Sequence, residues 1–326
     1  MDNTREKNKK IGIRFASVYM KYGMIFILLV LIIVSGILNH NFLTNRNITN
    51  ILRYISIVVL VAFGQTMVLI LGKIDLSSGS IMALTGCITA MIVSSTGNLF
   101  LGIALGVLVG AFSGFINGYI IAVFKIPAFI MTLAMMTIAR GIVLLITNAI
   151  PVSGMGNDFP FIGQGMISVL PMPVIIMIIF FAICWTILNR TKFGRYIYAC
   201  GGNEKAAVSS GISVKRTITV TYIIVGTMTA IAGIVLMSRI NSGQPAGALG
   251  YEFDAITGAV VGGTSLMGGI GNIPGTFIGC LIVGIINNIM NLTGVSSYWQ
   301  QITKGIIIAT AVILDIQTKS ILLNKR

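Results

Sequence analysis

The chain is 326 residues long, 56% hydrophobic and only 9% charged, far below the roughly 25% charged residues of a water-soluble domain, and its mean hydropathy is +0.96. No soluble fold covers that much apolar surface, so the chain reads as an all-α, polytopic membrane protein. The formal charge of +14 does not point to nucleic acid, because the basic residues sit in short clusters beside apolar runs and not along an amphipathic or aromatic-studded face.

Apolar runs suited to crossing a bilayer, about 20 residues each, are predicted at 22–38, 51–71, 79–95, 99–124, 128–149, 167–188, 217–237, 254–266, 275–292 and 299–315. That makes about ten transmembrane helices, the eighth of them short. The basic segment 1–21 resembles the start of a signal peptide, but no small-residue cleavage site follows it and many further spans do. It is read as a cytoplasmic N-terminal segment before an uncleaved first helix. Residues 22–315 then form the transmembrane domain and 316–326 a cytoplasmic tail. With the N-terminus inside, seventeen Lys and Arg flank the inner ends of the runs, among them Lys73, Lys125 and six between 190 and 216, against Arg46, Arg53 and Arg239 outside. That asymmetry fixes the orientation and favours an even number of spans, with both termini cytoplasmic.

Polar residues within or beside apolar runs need partners or water. Gln65 lies in the second run. Asp75 precedes the third and is expected to cap it or to pair with Lys73. Gly102, Gly106, Gly110 and Gly114 recur every four residues on one face of the fourth run, a pattern for close helix packing. Asn117 follows them, and its Gly-x-x-Asn setting is echoed by Gly284 and Asn287 in the ninth run, which is read as running in the opposite direction. Asn117, Asn287, Asn288 and Gln65 are the candidates for lining a passage, with interhelical hydrogen bonding as their plainer role. His40, the single histidine, falls at an outer span end, so a proton relay has little to be built from. Cys87, Cys184, Cys200 and Cys280 show neither CxxC spacing nor a histidine cluster, which leaves no disulfide framework, metal site or cofactor expected. Nor does any residue set suggest catalysis.

Two glycine-rich segments stand out. In the inner loop 189–216, Asn203 can cap a short helix with Glu204 in its first turn, Ala206 and Ala207 as small knobs, and Gly211 at its end, after the pair Gly201 and Gly202. The segment Gly262-Gly263-Thr-Ser-Leu-Met-Gly268-Gly269-Ile-Gly271-Asn-Ile-Pro274-Gly275 is too broken for a regular helix. It also lacks a phosphate-binding GxxxxGK[ST], so it is read as a structural turn using Gly263, Gly269 and Gly271. Irregular backbone of this kind survives at membrane depth only inside protein or facing water.

Three of these elements together resemble the ribose, xylose and arabinose type of ATP-binding cassette importer permeases. They are Gly72-Lys-Ile-Asp75-Leu-Ser-Ser-Gly79-Ser80, the loop 191–211, and the Gly262–Thr276 segment, in the same order, within a likeness spanning 43–315; Lys73 stands where the pattern has a small residue. The resemblance implies a ten-helix subunit with the fold of cobalamin importers in a bacterial cytoplasmic membrane. It implies a homodimer, an extracytoplasmic sugar-binding protein as partner and a cytoplasmic ATPase that hydrolyses the ATP. The 201–211 residues would be the coupling element toward that ATPase. Ribose or a related pentose leads as substrate; autoinducer-2, a nucleoside or another small solute stay open, and a secondary transporter is the rival from another mechanistic class.

Overall fold

The computed structural model of the chain describes residues 23–323, without the side chains of 311 and 314–323. The predicted segment 1–21 and its basic residues therefore lie outside the described residues. Each of the ten apolar runs overlaps a helix: α1 (Gly23–Leu38), α2 (Asn45–Ile70), α3 (Ser78–Thr96), α4 (Leu99–Phe124), α5 (Ala128–Thr147), α7 (Met172–Arg190), α10 (Val214–Ile240), α11 (Tyr251–Val261), α12 (Ile273–Leu292) and α13 (Ser297–Leu323). Between them lie three short helices, α6 (Phe159–Gln164), α8 (Lys192–Gly202) and α9 (Glu204–Ser209), and a small hairpin of β1 (Met166–Ile167) and β2 (Leu170–Pro171).

Among the described residues, seven helices, α2, α3, α4, α5, α7, α10 and α12, are long and apolar enough to cross a membrane. The eleven residues of α11 reach about 16 Å at 1.5 Å per residue, about half of a hydrocarbon core of roughly 30 Å. The predicted eighth span is thus a half-helix, followed by irregular backbone over 262–272. α13 runs past residue 315, the predicted end of the transmembrane domain, to Leu323.

α2 and α10 form the centre, with most of their residues buried. The glycine stripe on α4 faces inward in the same chain. A Cβ at Gly102 would meet Thr89 and Val93 of α3, at Gly110 it would lie 2.6 Å from the Gly226 carbonyl of α10, and at Gly118 it would sit 2.7 Å from the Thr219 Cα. In lipid, helices gain nothing by hiding apolar surface from one another, so this close backbone approach is what holds the bundle together. The other faces of α4, α5 and α7 present Phe112, Leu145 and Ile179 outward, as a bilayer requires.

One segment breaks the helical rule. Residues 72–77 fold back beside the last turns of α2, and side chains satisfy their backbone. Gln65 Nε2 donates to the Asp75 carbonyl at 2.6 Å and to Ser78 Oγ at 3.0 Å, while Tyr222 and Thr132 hydroxyls donate to the Ile74 carbonyl at 3.3 and 3.4 Å. The Asp75 carboxylate accepts from the Ser77 N–H at 2.8 Å and from its hydroxyl at 2.5 Å. Asp75 therefore orders the turn that leads into α3, and it forms no ion pair with Lys73; the ion pair among the described residues is Lys304 with Asp254.

Candidate functional site

Thr191 starts α8 by accepting from the Gly194 N–H at 3.1 Å, and Asn203 starts α9 by accepting from the Ala206 N–H at 3.0 Å. Gly211, at φ +77°, lets the chain leave α9 and enter α10. The capped helix and its glycine end match the sequence reading, whereas α8, with Ile197 and Cys200 buried beneath it, is an element that reading missed. Its signal was the Thr191 cap followed by apolar residues spaced three apart.

The α8–α9 unit is seated on the bundle by backbone contact. The Gly269 N–H donates to the Ile70 carbonyl at 2.8 Å, and the buried side of Gly201 lies so close to that carbonyl that a Cβ would overlap it. Gly268, at φ +81°, packs with Gly201 and Gly72 against the place a Cβ would occupy, at 2.7 and 2.9 Å. The Tyr198 hydroxyl donates to the Gly271 carbonyl at 2.7 Å, and burial pushes its phenol above the ordinary tyrosine range. Gly263 and Gly269 take φ +88° and +78°, conformations that cost other residues about 1 kcal/mol or more. Glycines from three places far apart in sequence, Gly72, Gly201–Gly202 and Gly268–Gly269, thus form one knot where the α8–α9 unit meets the bundle. Gly202 itself has nothing near its missing Cβ and no positive φ, so the strict position is Gly201.

Of the small residues predicted as knobs, Ala206 is exposed but Ala207 is 3% exposed and faces its own bundle. The apolar knob that α9 turns outward is Val208, 59% exposed, beside Glu204. Both border a cavity of about 620 Å³ whose wall also carries Lys73, Lys125 and Lys215. Lys125 caps the end of α4 at φ +57°, where a cation meets the negative end of the helix dipole. Three of the basic segments that charge counting assigns to one side thus share one cavity wall.

The four residues offered as lining a passage separate into two places. Gln65 and Asn117 are fully buried; Gln65 holds the 72–77 turn, and Asn117 Nδ2 donates to Ser77 Oγ at 3.0 Å. Both are closed off from solvent in this conformation; their amide nitrogens serve the 72–77 turn and the start of α3, while Gln65 Oε1 and Asn117 Oδ1 accept no hydrogen bond among the described residues. Asn287 and Asn288 stand near the other end, on a cavity of about 310 Å³. Asn287 donates to the Tyr54 hydroxyl at 3.1 Å, and Asn288 exchanges hydrogen bonds with Asn47 at 2.9 and 3.1 Å.

Comparison with known proteins gives this geometry a family. Residues 47–312 match the model of the branched-chain amino acid transport system / permease component family. The chain belongs to that family. It is 48% identical over 305 residues to the ribose import permease protein of Bacillus subtilis, covering 93% of this chain and 95% of the relative. It is 43% identical over 300 residues to the ribose import permease protein of Escherichia coli K12 (91% and 94% covered). It is 40% identical over 306 residues to the L-arabinose transport system permease protein of the same strain (94% and 93% covered). No solved structure matches the chain. The predicted turn and coupling segments thus sit within the matched residues of a permease family.

Proposed function

We propose that this chain is the membrane-spanning subunit of an ATP-driven importer for ribose or a closely related sugar, acting as a homodimer in the cytoplasmic membrane. A sugar-binding protein delivers the substrate from outside, and a separate ATPase drives transport from the basic, cytoplasmic end. Identity of 42–48% to ribose import permeases over more than nine-tenths of the chain supports the substrate class.

The observation that carries the mechanism is the glycine knot. An ATPase can move membrane helices only through an element that does not give when pushed. α9 is a capped helix with an exposed face of Glu204, Ala206 and Val208, and α8 joins it to the Ile70–Gly72 end of α2 and to the 268–271 loop by backbone contact. A displacement of α9 is thereby passed to α2 and, through the loop, to the half-helix α11. Packed interfaces of this kind shift between discrete arrangements instead of deforming smoothly. The ten apolar runs, with α11 and the 262–272 segment counted as one crossing, leave both chain ends on the cytoplasmic side.

The test is uptake of labelled D-ribose into proteoliposomes holding the permease, its ATPase and a loaded binding protein. Uptake that needs all three components is expected. Uptake driven by an ion gradient without ATP would overturn the reading in favour of a secondary transporter.

A further inference from the structure

The half of the bundle opposite the coupling face holds a chamber that force transmission does not use. A cavity of about 310 Å³ is bounded by Tyr54, Tyr251, Asp254, Asn291, Gln300 and Lys304, and a neighbouring one of about 650 Å³ shares Leu249, Gln300 and Lys304 with it. Both fall within the roughly 300–1,000 Å³ typical of small-molecule sites. Lys304 Nζ and the Tyr54 hydroxyl both donate to Asp254 Oδ2, at 2.9 and 2.7 Å, so that Oδ1 accepts no bond among the described residues. Gln300 Nε2 donates to Asn291 Oδ1 at 3.0 Å. The rings of Tyr54 and Tyr251 stand 5.9 Å apart at a tilt of 58° and give the chamber an aromatic wall.

Burying such a network in a membrane bundle does not favour stability over an apolar core of the same shape. Its chemistry does suit one kind of guest. The Lys304–Asp254 pair neutralises itself, Arg239 adds one further cation to the wall and Glu252 an acidic group to the wall of the neighbouring cavity, and the remaining polar groups of the chamber are amides and phenols, which offer donors and acceptors in mixture. An apolar solute would find no matching surface, and an anion only one uncommitted charge. A ring polyol, whose hydroxyls both donate and accept and whose C–H face lies against aromatic carbon, matches it.

We propose that this chamber is a transit site for an uncharged monosaccharide on its way through the permease, a reading that rests on the importer function above. Most of the polar atoms already bond one another, so an entering sugar exchanges hydrogen bonds and gains little net energy. Low affinity follows, as a solute that must leave again requires.

The experiment uses the full complex in nanodiscs, with Asn291→Cys and, separately, Asn50→Cys as reporters on the cavity wall, Ser95→Cys as a reporter elsewhere, and the four native cysteines buried. Labelling by a membrane-impermeant maleimide is followed with D-ribose, L-arabinose, D-allose or ribose 5-phosphate present. At about twice its dissociation constant a neutral sugar should slow labelling at the wall about threefold, since protection grows as one plus the ratio of ligand to dissociation constant, with Ser95→Cys unchanged. Tyr251→Ala should abolish the protection and Tyr251→Phe keep it. Unprotected reporters in a complex whose parent chain imports D-ribose overturn the site and leave the importer reading intact, as does protection by ribose 5-phosphate alone. If the parent complex imports none of the three sugars, the importer reading itself fails.

Discussion

At the scale of single residues, neighbouring positions of like type do unlike things. Gly201 and Gly202 are adjacent, yet only Gly201 has a carbonyl where its Cβ would go. Gly201→Ala should therefore destabilise the chain by about 1–3 kcal/mol and lower its melting temperature in detergent, while Gly202→Ala should leave that temperature within error. Asp254, 3% exposed, is bonded by both Lys304 and Tyr54. Asp254→Ala should cost about 3 kcal/mol or less, because it leaves the Lys304 cation at the chamber wall without its partner. Adding Lys304→Met should recover part of that loss, an interaction that a double-mutant cycle in mixed micelles would read directly.

At the scale of elements, the coupling unit is two helices on a glycine base, and α9 has an outward and an inward side. Val208→Trp and Ala206→Trp alter only the outward side, so both variants should assemble in the membrane with normal melting temperature yet lose sugar-stimulated ATP hydrolysis and uptake about tenfold or more, equal to at least about 1.4 kcal/mol of docking energy. Glu204→Lys should weaken α9 at its positive end and reverse a charge on the same face. Ala207→Trp, pointing into the bundle, should instead fail to fold, which expression and gel filtration would show. If the outward variants transport normally, force enters through another segment of the same end. The asparagine cap, the acidic first turn and the terminal glycine of α9 were legible in the sequence because capping is local chemistry within six residues. The identity of the outward knob was not, because it depends on how the α9 side chains are turned relative to α10 and the 72–77 segment.

At the scale of the whole molecule, the permease reading demands a sidedness and a dependence. A reporter fused after Asp158 should be active only outside the cytoplasm, and fusions after Glu204 or Lys319 only inside it; an external Glu204 would invert the bundle. The purified chain should hydrolyse no ATP by itself, since its glycine segments have no lysine set to hold a phosphate. A nucleotide-saturable activity of the isolated chain would contradict that. Taken alone, the sequence determined the membrane class, the ten apolar runs, the basic end and the glycine segments that mark the family, because length, hydropathy, charge and capping are properties of short stretches. It could not distinguish Gln65 and Asn117 from Asn287 and Asn288, four amides in apolar runs. Tertiary packing decided that two of them serve the 72–77 turn and its surroundings, and two border a polar chamber. It also joined Gly72, Gly201 and Gly268 into one knot, because backbone contact between residues so far apart in sequence exists only once the helices have packed.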